Sequence, residues 1–178
     1  LKHIHYQLVK PPEEILIDLD REKIEITLFN LISNAVKYTP VNGRILVAVK
    51  ATAKGASVSV SDNGPGIPED KASRLFERFY QVKEVHGETG FGIGLYVART
   101  FVEKHKGTIT YQRSDDSGAC FTVELLTGRN HFDADTVYED SSGGSAFLKE
   151  LAPEPVLAGS LEGEGQEGSK PEMVAAAS

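Results

Sequence analysis

With a single cysteine, Cys120, the chain can form no internal disulfide, and a reducing compartment suits it best. It has no apolar run near the roughly 20 residues that a membrane span needs, and nothing in it resembles a secretory signal, so this stretch is expected to be soluble and free of membrane contact. It also lacks a basic excess: the formal charge is -7, with Lys+Arg and Asp+Glu at 16 each from Leu1 to Gly128 and at 3 against 10 from Arg129 to Ser178. Without a basic stripe, nucleic acid is not expected as a partner. The surplus acidity belongs entirely to the end of the chain.

What is present suffices for one well-buried domain, since the 178 residues are 40% hydrophobic and 25% charged. Residues 4–9 and 15–19 read as two short strands joined through Pro11-Pro12, together forming a sheet edge, because apolar and β-branched residues dominate between turn formers. Asp20 is placed to cap a helix in which Ile24, Leu28, Leu31, Ile32 and Ala35 recur at helical spacing until Pro40 stops it. Residues 45–53 and 56–62 alternate around Lys54-Gly55 as a hairpin, and 69–75 read as a short helix. A second long helix is expected over 95–105, ending at Gly107, before a last hairpin of strands 108–112 and 120–126. Helices should then cover one face of a mixed sheet, with Cys120 a small core residue.

From about Arg129 the pattern fails. Ser141 to Ser145, the Gly-, Glu- and Pro-rich run from Gly159 to Pro171 and the final Ala175-Ala176-Ala177-Ser178 offer too little apolar area to offset ordering entropy. Residues 129–178 are therefore expected to be a largely disordered acidic tail or linker after a domain spanning 1–128, relieved by one short helical turn around Phe147, Leu148 and Leu151.

Two blocks carry the chemistry. Asp62-Asn63-Gly64-Pro65-Gly66-Ile67-Pro68 sets a carboxylate at the end of an apolar strand, followed by glycines that let the backbone turn past a flat ligand. After a short helix and loop, Gly87-Glu88-Thr89-Gly90-Phe91-Gly92-Ile93-Gly94-Leu95 opens a helix. Its alternate glycines 90, 92 and 94 allow N–H groups to converge on phosphate oxygens where the helix dipole favours negative charge. An adenine at one end and phosphates at the other is the natural reading.

Four ordered blocks carry a family resemblance. Leu28 to Pro40 (with Asn30, Asn34, Lys37 and Tyr38), Asp62 to Ile67, Leu75-Phe76-Glu77-Arg78-Phe79-Tyr80 and Gly90 to Leu95 resemble the N, G1, F and G2 boxes of the catalytic ATP-binding domain of sensor histidine kinases, within the GHKL superfamily. The resemblance covers residues 1–126 and implies a two-layer α/β sandwich of the Bergerat type, with a mostly antiparallel sheet. It makes Asp62 the adenine reader, because an ionised carboxylate accepts from the exocyclic amine that guanine lacks. It makes Asn34 a Mg²⁺ ligand through its amide oxygen, phosphates and waters completing the octahedron, with Asn30 one turn earlier on the same face. Lys37 and Tyr38 fall near the phosphates and nucleotide, although a surface position is the commoner fate of such a lysine. Gly64, Gly66, Ile67, Phe79, Thr89, Gly90, Phe91, Gly92, Ile93, Gly94, Leu95 and Thr122 complete the nucleotide-contacting set, and Gln81 to Thr89 would form the lid over ATP.

Departures from the family pattern matter. Many members carry arginine where Gln81 stands, so Arg78 or Lys83 would have to neutralise phosphate. Where relatives often have Gly-Thr or Gly-Ser before the last strand, this chain reads Gly118-Ala119-Cys120-Phe121-Thr122, so the hydroxyl that supports the adenine-side water network is either missing or supplied by Thr122. No histidine is followed by an acidic residue and Arg-x-Pro, so no phosphoacceptor block is present. His3, His5, His105 and His131 read as structural or surface residues. The resemblance implies that ATP's γ-phosphate passes to a histidine on separate dimerisation helices, then to a response-regulator receiver domain, within a hybrid, membrane-anchored sensor whose catalytic part faces the cytoplasm. Two alternatives stay open: a pseudokinase scaffold binding its partner through the Phe-box surface, and a GHKL ATPase or serine kinase using a glutamate base such as Glu25.

Overall fold

Residues 2–82, 91–114 and 117–132 are described by the computed structural model of the chain; the expected tail beyond 132 and the turn at Phe147 lie outside them. The element order is β1 (His5–Val9), α1 (Arg21–Tyr38), β2 (Arg44–Thr52), β3 (Gly55–Asp62), α2 (Glu69–Ala72), α3 (Gly94–Lys104), β4 (Thr108–Arg113) and β5 (Ala119–Leu126). The strands form one sheet in the order β1-β2-β3-β5-β4. Among the described residues β1 and β2 run parallel, and the other pairings are antiparallel.

The register explains the layering. Val47, Val60 and Phe121 stand in one cross-strand row, and Val58 and Val123 in the next. On the face between these positions Ser57, Ser59, Ser61, Thr110, Thr122 and Glu124 alternate outward, which is the pattern of an antiparallel sheet with one solvated side. The helices cover the apolar face: α1 packs on α3 and β3, and α3 on β4 and β5. Their contributions to the core are Ile24, Leu31, Ala35, Ala98 and Val102, which meet Ile45, Val60, Phe121, Val123 and Leu125. Among the described residues no helix is long and apolar enough to cross a membrane.

The ends of α1 are fixed by named groups. Asp20 Oδ1 accepts from the Lys23 N–H at 3.1 Å, satisfying one of the amides that a helix start leaves open. Burial pushes the Asp20 carboxyl up, but the hydrogen bonds and charge of Lys23 outweigh it and hold the group below the usual aspartate range. At the other end, Lys2 Nζ donates to the carbonyls of Val36 and Lys37 at 3.2 and 2.5 Å, placing a cation where the helix dipole is negative.

Three expectations change. Residues 15–19 form no strand: they pair with neither edge strand of the sheet, β1 or β4, and Ile17 packs against the core without a ladder while Leu16 is exposed. The short helix α2 ends at Ala72 rather than Leu75, because the bonds tighten to the third residue, from Arg74 N–H to Lys71 and from Glu77 N–H to Arg74. Cys120 sits half-buried on the polar face beside Thr122, 3.9 Å away, rather than in the core.

His105 ties the two long helices together. Its Nε2 accepts from the Asp20 N–H at 2.8 Å, so Nδ1 carries the proton and donates to the Phe101 carbonyl at 2.7 Å. The ring is 3% exposed and meets Phe132 edge-on at 5.9 Å, while Arg129 pairs with Asp18 at 2.9 Å. The chain thus returns to the body after residue 128. Replacing His105 with alanine leaves the Asp20 amide and a cavity behind it, and should lower the unfolding free energy by about 2–3 kcal/mol. A lower denaturant midpoint at unchanged slope is the expected reading.

Candidate functional site

Asp62 is the last residue of β3 and is 8% exposed. Its Oδ1 accepts from the N–H groups of Gly64 at 2.8 Å and Ala119 at 3.2 Å. Both bonds fall on one oxygen, and Oδ2 is left for the cavity that Asp62 lines. Burial pushes the carboxyl above the usual aspartate range, and the two amide donors pull it back only in part. An acceptor held this way suits an N–H donor from a ligand.

The cavity has a volume of about 580 Å³, within the usual range for a small-molecule site. At the Asp62 end its walls are Pro65, Gly66, Ile67, Leu75, Ala119 and Phe121. At the other end Asn30 of α1 faces Gly94 at the start of α3, with Asn34, Ile93 and Leu95 also lining the cavity; Lys37 and Tyr38 of α1 line it too, and the Tyr38 carbonyl lies beside Gly64, next to Asp62. The two asparagines share a face because they are four residues apart. Asn30 donates from Nδ2 to the Ile26 carbonyl at 2.9 Å, which turns its Oδ1 toward Gly94; a Cβ on Gly94 would lie 2.7 Å from that oxygen. A side chain at 94 would separate α1 from the α3 N-terminus and spoil the site. The α3 N-cap residue, Ile93, supplies no side-chain bond, so the first amides of the helix are available to an anion.

The loop entering α3 is tied to the Phe-box turn: the Phe79 N–H donates to the Gly92 carbonyl at 2.8 Å, with Phe79 itself at φ 65. That left-handed conformation costs a non-glycine residue roughly 1–2 kcal/mol.

Not every expected residue is brought to the cavity. Thr122 lies on the opposite face of the sheet from Ala119 and Phe121, since successive strand residues alternate, and so cannot stand in for a hydroxyl near the base. Phe79 does not line the cavity; it is 61% exposed with the Arg78 guanidinium 4.6 Å from its ring centroid. Gly64 acts from beneath, through its amide on Asp62. Thr89, Gly90, Lys83 and most of the expected lid lie outside the described residues. Sequence reasoning passed over Ala35, Pro65, Leu75, Tyr80, Ala119 and Phe121 as lining, while Gln81 and Val82, which also line the cavity, belong to the expected lid. For Phe121 a signal existed: it occupies the inward phase of β5 in register with Val60.

Residues 19–129 match the family described as histidine kinase-, DNA gyrase B-, and HSP90-like ATPases. The chain belongs to this family. Among curated relatives of the ATPase domain, histidine kinase P4 of Formosa agariphila is 33% identical over 161 residues, 85% of this chain and 12% of that protein. The adaptive-response sensory kinase SasA of Gloeothece citriformis is 40% identical over 107 residues, 60% of this chain and 27% of that protein. The chain therefore spans about an eighth to a quarter of the length of these relatives. Among solved structures, the mycobacterial sensor histidine kinase MprB superposes with a TM-score of 0.65 at 26% identity, over 70% of this chain and 84% of that one. The catalytic domain of histidine kinase ThkA gives 0.64 at 28%, over 71% and 82%. Full-length ShkA in complex with AMPPNP gives 0.62 at 28%, over 74% and 27%. The mixed open sheet with its helices is thus the fold of histidine kinase catalytic domains.

The raised carboxyl of Asp62 has a consequence for the ligand-free domain. A group whose folded value lies above its unfolded one favours the fold most at low pH, and that contribution is lost as pH rises through the folded value. Asp62→Asn keeps an oxygen for both amides without a buried charge. At pH 7 it should melt no lower than the wild-type domain, and any advantage should vanish at pH values below the ordinary aspartate range. Thermal melts across pH check this; a variant markedly less stable at pH 7 refutes it.

Proposed function

We propose that the domain binds Mg-ATP and presents the γ-phosphate to a histidine on separate dimerisation helices, from which it passes to a receiver domain. The observation that carries this reading is the cavity's polarity along its length: a carboxylate oxygen at one end, and two asparagines and a helix N-terminus at the other. Asp62 Oδ2 would take the exocyclic amine of adenine, and Ile67, Leu75 and Phe121 would enclose the ring. The α3 amides and Lys37 would hold phosphates.

Magnesium fits the donor set. Asn34 lines the phosphate end and offers a neutral amide oxygen, a hard donor. Among the described residues no three acidic, histidine or cysteine groups converge, so such an ion would be held chiefly by phosphates and water. Bound there, it would neutralise phosphate charge. The chain's own part in transfer is then to fix the nucleotide in line with the acceptor, since phosphoryl transfer rests on positioning and charge stabilisation. The accepting histidine, and the base beside it, would come from the parent protein, proposed to be a membrane-anchored hybrid sensor whose catalytic part faces the cytoplasm.

The hydrolase and scaffold alternatives draw less support. Glu25 is paired with Arg21 at 3.1 Å and does not line the cavity, which leaves no geometric basis for it as a general base. Intact Asn34 and Asp62 argue against a scaffold without phosphotransfer.

Calorimetric titration with a non-hydrolysable ATP analogue, with and without Mg²⁺, tests the reading alongside GTP. Saturable binding selective for adenine is expected, weakened about 10- to 100-fold by Asp62→Asn through loss of a charged hydrogen bond. Asn34→Ala should remove the Mg²⁺ dependence while leaving adenosine binding intact. Absence of binding under every condition, or equal binding of GTP, overturns the proposal.

A further inference from the structure

The β4–β5 hairpin bends over the end of β3 and grips the base end of the cavity from outside. The Ser114 hydroxyl donates to the Asp62 carbonyl at 2.9 Å, and the Ala119 N–H donates to the Asp62 carboxylate. The Tyr111 hydroxyl accepts from the Ile67 N–H and donates to the Ile67 carbonyl, both at 3.1 Å. Glycine permits the approach on both sides. A Cβ on Gly118 would lie 2.0 Å from the Asp62 carbonyl oxygen, and one on Gly66, at φ +68, would lie 2.4 Å from the Ser117 carbonyl oxygen.

The Tyr111 contact resembles strand pairing. Two residues of a hydrogen-bonded antiparallel pair exchange both of their backbone bonds, and a phenolic hydroxyl can replace such a partner because it both donates and accepts. Ile67 is therefore fixed without belonging to the sheet. The ring that carries the hydroxyl is itself anchored, 5.3 Å from the centroid of Phe121, which stands edge-on to Phe76 at 6.3 Å. Phe121 and Ile67 both line the cavity. A phenylalanine at 111 would preserve the ring packing and leave both polar groups of Ile67 without this partner.

We propose that Tyr111 is a positioning residue for base recognition: its hydroxyl holds the Gly66-Ile67 segment against the ligand's base while Ser114 and Ala119 hold Asp62, so the hairpin sets selectivity for adenine. This rests on the reading of Asp62 as the adenine acceptor. Ile67 supplies a wall whose distance from Asp62 decides whether the ring can reach Oδ2. Tyr111 touches no ligand in this scheme and acts only through Ile67.

The test uses the full chain carrying Tyr111→Phe, well below its melting temperature, titrated with adenosine, a non-hydrolysable ATP analogue and its guanine counterpart, with hydrogen exchange followed at the Ile67 amide. Faster exchange at Ile67 is expected, with affinity for adenosine and for the ATP analogue reduced by the same factor, about tenfold, and a narrower preference over guanine. Thr27→Val serves as the control. It removes a fully buried hydroxyl bonded to the Lys23 carbonyl at 2.8 Å, away from the cavity, and should lower the melting temperature without changing affinity or selectivity. Undiminished adenine binding and selectivity in Tyr111→Phe, or an equal loss in Thr27→Val, overturns the inference alone. A wild-type chain that binds neither adenosine nor the analogue overturns the nucleotide reading and this inference with it.

Discussion

A carboxylate held below the surface, with two hydrogen bonds on one oxygen and the other left to a cavity, is the constraint around which the rest of the domain is arranged. Burying the charge of Asp62 is costly unless donors converge on it. The donors come from two places distant in sequence, the turn at Gly64 and the start of β5 at Ala119. The second can reach only because β5 is inserted between β3 and β4, so that the strand order places Ala119 beside the end of β3. The sheet topology is therefore part of the site. Removing the last turn of that pairing would leave Asp62 with one amide and a less defined orientation.

The opposite end of the cavity is built differently. There the polar groups belong to α1 and to the first turn of α3, and their separation depends on packing between two helices. Asn30 and Gly94 are in close apposition, and His105 fixes the far end of α3 to the start of α1 through the Asp20 amide. The helix pair is thus held at both ends. An interaction at the base of α3 and an interaction at its phosphate-facing tip bear on the same interhelical geometry, although no residue in the first touches the cavity.

Much of this was legible in the sequence, and the failures have identifiable causes. Elements with strong periodicity and chemical boundaries were readable: Asp20 before the apolar stripe of α1, the alternation of β2 and β3, and the glycines before α3. Asp62 and Gly94 were readable as cavity lining because motif and element boundary coincide there, and Asn30, Asn34 and Lys37 because their helical spacing puts them on one face of α1. Residues 15–19 misled because an apolar, β-branched run reports which side chains can turn inward, as Ile17 does, and not whether the backbone joins a ladder. Thr122 misled because its chemistry suited the site but its phase in β5 points it to the other face. Tyr111 was invisible for a related reason: a tyrosine in a strand signals packing, and only the folded hairpin shows its hydroxyl closing on Ile67, 44 residues away.

The two ends of the cavity consequently fail in different ways. The base end depends on backbone groups fixed by long-range strand pairing, so side-chain substitutions there act through geometry and should bear on adenosine and ATP alike. The phosphate end depends on side chains and helix amides that meet only the charged part of the ligand, so changes there should spare adenosine. This separation follows from construction: one end is a sheet terminus that can hold a flat, hydrogen-bonded ring, and the other is a helix terminus suited to anions. The proposed ligand, a base joined to phosphates, suits both ends at once. On the proposed reading the phosphates would lie at the α3 end, and an acceptor on another domain would have to approach from that side rather than across the hairpin.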